Sequence, residues 1–229
     1  MKDIVYIVRD EIVTKMDREV EVLSFIGEVL TVCDVKWARI NMKVYDSLDN
    51  VYTILDVDYD NEIITLSPDG AYVFSGDVLK LTNPIFFVGT PIATNKEWGE
   101  FNPDERKKLP LCWMIEPTSE RFNSDENSIE RESDLRIVFL DSNNIEQWNT
   151  IDTHNQRLRA IYNMVHWFVE SIKSNPMFYS SEMTYQTRNF TKFGKETSQG
   201  MEANIISANL TGVDLQITIS VRREYDCNC

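Results

Sequence analysis

The pattern of apolar and polar positions is clearest near the C-terminus of the chain. Val213, Leu215, Ile217, Ile219 and Val221 alternate with Asp214, Gln216, Thr218 and Ser220. This predicts a strand with one buried face and one face that is wet or covered by a partner. The second clear element is a helix from about Asp152 to Lys173. Leu158, Ile161, Tyr162, Val165, Phe168, Val169 and Ile172 recur at helical spacing. Thr153-His154-Asn155-Gln156 reads as a capping box, and Asn175-Pro176 as the stop. Ile85–Val88, Pro110–Ile115 and Leu135–Leu140 read as buried strands, with a polar loop over Thr94–Lys108. Ser119–Asp134 is polar apart from Phe122 and Ile129, and reads as a long excursion or hairpin arm.

The first part of the chain follows a different pattern. Ile4, Val8, Ile12 and Met16 keep a period near 3.6, which predicts a leading helix. From about Val20 short strands take over. Val51–Tyr59 alternates, Asp60-Asn61 turns, and Ile63–Leu66 returns. Ser67-Pro68-Asp69-Gly70 is a further turn, and Ala71–Leu81 a further strand, broken at Ser75-Gly76-Asp77. The expected organisation is α+β: a β-rich region over 1–83, built as a small barrel or meander, then a domain over 84–229. In that second domain one main helix packs on an antiparallel sheet.

Composition narrows the function. The chain of 229 residues carries 37 Asp and Glu against 23 Lys and Arg, a net charge of −14. A face that grips nucleic acid must be basic, so the balance argues against a nucleic-acid-binding domain. No apolar run approaches the roughly 20 residues that cross a bilayer, so no membrane association is expected. Arg9, Asp10 and Glu11 interrupt the opening stretch, which is not read as a secretory signal. Four cysteines make no disulfide scaffold, and a reducing, intracellular origin is the simplest reading.

Local chemistry is sparse. Asp56, Asp58, Asp60 and Glu62 resemble the start of a calcium loop. The positions that need Gly and Glu hold Asn61 and Ser67, which favours a solvated strand face. Cys227-Asn228-Cys229 lacks a second ligand pair for a metal, and Cys33 and Cys112 sit in apolar surroundings. His154 and His166 have no nucleophile or ligand spacing around them, and Asp152 beside His154 is explained by the helix cap. No glycine-rich phosphate loop is present. The expectation is a protein with no catalytic residue, no metal and no cofactor. One feature points to assembly. Ala160, Met164 and Trp167 fall away from the main apolar stripe, with Trp167 at ~180° from Leu158 at ~100° per residue. A helix apolar on two sides is either sandwiched within its own chain or covered by a partner. These three are the subunit-interface candidates.

Residues 84–229 resemble the neck, connector and tail-terminator proteins of tailed bacteriophages, most closely those of crAss-like and other Bacteroides-infecting phages. The resemblance is carried by Leu109–Pro117, Leu135–Asp141, Tyr162-Asn163-Met164-Val165, Phe193-Gly194-Lys195 and Leu210–Leu215, closing on the Cys-rich tail. It implies a non-enzymatic virion protein that forms a homo-oligomeric ring, twelve- or six-fold, at the head–tail junction. Its implied neighbours are the portal and other neck or tail proteins, with genomic DNA passing through the lumen without sequence-specific binding. It implies synthesis in the bacterial host cytoplasm. The 119–134 arm, the terminal strand and Trp167 are the parts expected to reach other subunits. The alternative carried forward is a soluble bacterial binding or adaptor module without catalysis.

Overall fold

A computed structural model describes residues 3–16, 18–101, 109–116, 118–122, 130–143, 149–179, 183–196, 202–204 and 209–222. The chain divides into two compact units, one over Asp17–Asn83 and one made of Met1–Met16 with Pro84–Cys229. Residues 1–16 were expected with the N-terminal β-rich region. They belong instead to the larger unit, because Ile4, Ile7, Val8, Ile12 and Val13 bury into its core.

The smaller unit is a closed barrel. Its strands are β1 (Glu19–Ile26), β2 (Val29–Val32), β3 (Lys43–Tyr45), β4 (Val51–Asp58), β5 (Ile63–Pro68) and β6 (Val78–Leu81). They close in the order β1-β2-β5-β4-β3-β6, all pairs antiparallel. Val20, Leu30, Trp37, Val44, Tyr52, Ile54, Ile64, Leu66 and Leu79 point inward and fill it. Closure leaves no edge for another chain to pair with. The strand expected over Ala71–Leu81 is confined to Val78–Leu81.

A single carboxylate braces one end of this barrel. Asp46 is fully buried. Its Oδ1 accepts from the backbone N–H groups of Leu48 and Asn50, both at 2.9 Å. Its Oδ2 accepts from Asn50 Nδ2 at 2.9 Å and from Tyr52 Oη and Ser75 N, both at 3.2 Å. Burial pushes the carboxyl upward, but hydrogen bonds from Asn50, Leu48 and Tyr52 outweigh it and hold Asp46 below its ordinary value.

The larger unit opens with α1 (Ile4–Ile7), capped by the Asp3 side chain and continued by a π-helical stretch over Val8–Val13. After the barrel come β7 (Ile85–Gly89), α2 (Pro91–Phe101), β8 (Leu111–Ile115), β9 (Ser119–Phe122) and β10 (Glu130–Ser142). Then follow α3 (Thr150–Thr153), a π-helical stretch His154–Leu158, and α4 (Arg159–Ser174). β11 (Thr184–Phe190), a small ladder of β12 (Gly194–Glu196) with β13 (Glu202–Asn204), and β14 (Leu210–Arg222) complete it. The main sheet runs β11-β14-β10-β8-β7, with β9 also on β10. All its pairs are antiparallel except β7 with β8, which are parallel across the α2 connection. The α+β reading stands: a mostly antiparallel sheet carries one main packed helix.

Two apolar layers sandwich the sheet. On one face Val213, Leu215, Ile217, Ile219 and Val221 meet Ile137, Phe139, α4 and the leading helix. On the other, Trp98 of α2 and Phe193 join Trp113, Val138, Leu140 and Leu210 in a second apolar cluster. The segment read as a polar loop, Thr94–Lys108, therefore contains part of a helix whose Trp98 is 2% exposed. The main helix also starts earlier than expected. Asn149 is the N-cap and exchanges capping-box hydrogen bonds with Asp152, so Thr153 is inside the helix. Among the described residues no helix is long and apolar enough to cross a membrane.

Candidate functional site

The β11 side of the larger unit's sheet is exposed among the described residues. β14 is hydrogen-bonded to β10 along one side and to β11 along the other. The terminal strand, expected to pair with a neighbour, is therefore an inner strand with both sides used. The outer strand on this side is β11, which pairs with β14 alone among the described residues. Thr184 to Asn189 are all exposed, and Tyr185 keeps half its surface open. A strand like this presents a row of outward N–H and C=O groups.

Beside β11, the sheet face opposite α4 is open and polar. Arg136 Nε donates to both Asp214 oxygens at 3.2 and 3.0 Å, and its Nη2 donates at 2.7 Å. Gln186 Nε2 donates to Gln216 Oε1 at 2.7 Å, tying β11 to β14 by side chains as well as backbone. Thr218 Oγ1 donates to Asp134 Oδ1 at 2.7 Å, and Arg121 reaches the other Asp134 oxygen. The bond from Thr218 comes first in holding Asp134 below its usual value, against burial and with help from Arg121. A shallow groove of about 610 Å³ follows this surface, lined by Asp134, Arg136, Thr184, Tyr185, Gln186 and Gln216 among others. Its charged groups already satisfy one another.

The excursion over 119–134 contains a hairpin in its described part. Ser119–Phe122 pairs with Arg131–Asp134, while residues 123–129 lie outside the described residues. Arg131, 3% exposed, sits opposite Phe122 at the loop end of this ladder. Its Nη2 donates to Glu120 Oε1 at 2.6 Å, and its guanidinium stands 5.8 Å over the Phe122 ring.

The helix residues proposed for an interface do not form an exposed stripe. Ala160 is 5% and Met164 4% exposed, so both belong to the chain's own interior. Trp167 is half-buried against the same core, and its Nε1 donates to Asn163 Oδ1 at 2.9 Å. The physical reason is a wide buried face. α4 packs both on the sheet and against the leading helix, so the flank holding Met164 is covered, and Tyr162 on the other flank is left exposed.

The remaining chemical candidates are structural in this arrangement. Asp152 accepts from Asn149 N at 3.1 Å as part of the cap, and His154 and His166 are exposed on the helix. Cys112 is fully buried, and burial pushes its thiol pKa far up, which suppresses the thiolate a nucleophile needs. Cys33, expected to be buried, is exposed. Asp58 accepts from Asp60 N and Asn61 N, both at 3.1 Å, and from Asn61 Nδ2 at 2.7 Å, so it braces the β4–β5 turn. Among the described residues no group of three or more His, Cys, Asp or Glu is placed to hold a metal. Cys227 and Cys229 lie outside the described residues. The chain matches no protein-family model and no curated protein at a significant level.

Proposed function

We propose that this chain is a structural subunit of a homo-oligomeric ring at the head–tail junction of a tailed bacteriophage. It sits between portal and tail and leaves a lumen through which the genome passes. The single observation that carries the reading is the outer edge of β11, seven residues long and unpaired among the described residues, at the end of the main sheet. Monomeric proteins protect such edges with Lys, Pro, bulges or covering segments, because they invite pairing with another chain. β11 contains neither Pro nor Lys and pairs regularly along its whole length. The resemblance of residues 84–229 to neck and tail-terminator proteins supplies the setting.

The experiment is light scattering coupled to size exclusion, followed by negative-stain imaging of the full chain. Closed rings, twelve- or six-fold, are the expected result. A compact monomer that persists at high protein concentration removes the reading and favours the adaptor alternative.

The net charge of −14 suits a conduit past which DNA slides. Like charges across the lumen raise the cost of contact, and few counterions are available for release. Accordingly the purified protein is expected to leave duplex DNA unshifted in a gel even at low ionic strength. Binding that weakens with added salt would place a basic surface on the lumen and refute this part.

A further inference from the structure

We infer that neighbouring copies join by sheet continuation, β11 of one copy pairing antiparallel with β7 of the next. This rests on the ring reading above and names the contact that builds it.

Three observations carry the inference. The first is strand polarity. β7 and β11 are the two outer strands of the same sheet, each paired on one side only among the described residues. β7 runs parallel to β8, and three antiparallel steps then lead to β11, so β7 and β11 point in opposite directions. A copy placed beside the first in the same orientation therefore presents β7 antiparallel to β11. Such a contact uses two different patches. Repeated around an axis it gives a closed ring rather than a two-fold dimer.

The second is side-chain match. Registers across the sheet place Ile85 level with Leu111, Leu140, Gly212 and Phe190. They likewise place Val88 level with Met114, Ile137, Leu215 and Thr187. A level continuation pairs Phe190 with Ile85 and Thr187 with Val88. Phe190 and Ile85 are both half-buried at the margins of the same apolar layer, so joining them extends that layer across the junction. On the opposite face Phe86 and Val88, half-buried at the margin of the helix-side core, meet Asn189 and Thr187, with Tyr185 diagonal to Val88.

The third is charge. β7 contains no charged residue, and β11 contains only Arg188, which stands level with Asp214. In a chain of net charge −14 these two edges carry no acidic side chain, so copies approach along them without like-charge opposition.

The test is site-directed cross-linking of the full-length chain, with Cys33, Cys227 and Cys229 replaced by Ser and Cys112 left in the core. Val88→Cys together with Thr187→Cys is expected to give a ladder of disulfide-linked multimers on mild oxidation. Phe86→Cys with Asn189→Cys is expected to do the same, and each single Cys variant to give no ladder. Rings that assemble but yield no ladder from either pair overturn the β7–β11 contact while leaving the ring reading intact. A chain that stays monomeric before oxidation overturns both. As a second measurement, Thr187→Lys is expected to shift the population from ring to monomer while the circular dichroism spectrum is kept. A ring population unchanged by that variant counts against the edge.

Discussion

Replacing Gly212 with alanine is expected to destabilise the larger unit more than any other single-methyl addition in its sheet. Gly212 sits in β14 between Leu140 of β10 and Phe190 of β11. A Cβ built there overlaps the Phe139 carbonyl oxygen, lies 2.7 Å from Leu140 Cδ2 and 3.1 Å from Phe190 Cε2. The Phe190 ring can turn aside, but the oxygen is backbone in the longest ladder of the fold and cannot. Relief requires separating β10 from β14 locally, which breaks their hydrogen bonds and opens the packing of Phe139 against Phe168. A cost of roughly 3 kcal/mol follows, at the upper end of overpacking penalties. Thermal unfolding of Gly212→Ala beside the parent chain checks it. An unchanged transition would mean that β14 is not wedged between these two strands.

Asp46→Ala is the second large effect, and it falls on the barrel. The substitution removes the acceptor of five hydrogen bonds, four of them from groups on the 46–52 segment and one from Ser75. Buried donors left unpaired cost about 1–3 kcal/mol each, so even with partial rehydration a loss of about 4 kcal/mol is expected. Asp46→Asn is expected to be milder, since one amide oxygen still accepts while the NH₂ group faces donors. The pH dependence has a defined sign. The folded-state pKa lies below the unfolded one, so the carboxylate's contribution is complete above the ordinary carboxylate range. It is lost as pH falls from there through the depressed folded value. The parent barrel should therefore lose stability on acidification more steeply than Asp46→Asn, which lacks the titrating group. Equal slopes in acid-titrated melts would contradict the role assigned to Asp46.

The elements written most clearly in the sequence are those whose environment is uniform along their length. β14 packs a single apolar layer on one side, so its alternation survives intact from Val213 to Val221. α4 shows its period for the same reason, yet its buried face is wider than that period implied. Only the presence of the leading helix, distant in sequence, tells that Met164 is inside. α2 was hidden because just Thr94 and Trp98 are buried among its described side chains, too few to set a period. The Pro at its first position, favoured at helix starts, was the available signal. The cap at Asn149 was missed in favour of Thr153-x-x-Gln156, an equally well-formed pattern one turn later. β11 escaped notice because both its faces are polar or exposed, leaving no hydrophobic side to read. The same lack of a buried side is what makes it a candidate surface.

The grouping of residues 1–16 with the larger unit has a consequence for synthesis. The barrel is contiguous in sequence and can close as soon as residue 83 has left the ribosome. Ile4, Ile7, Val8, Ile12 and Val13, by contrast, share one apolar core with Val213 to Val221, far later in the chain. At elongation rates of about 5–20 residues per second that leaves this apolar helix without those partners for roughly 10–40 s. During that interval the nascent chain displays a greasy segment that the finished barrel follows in sequence.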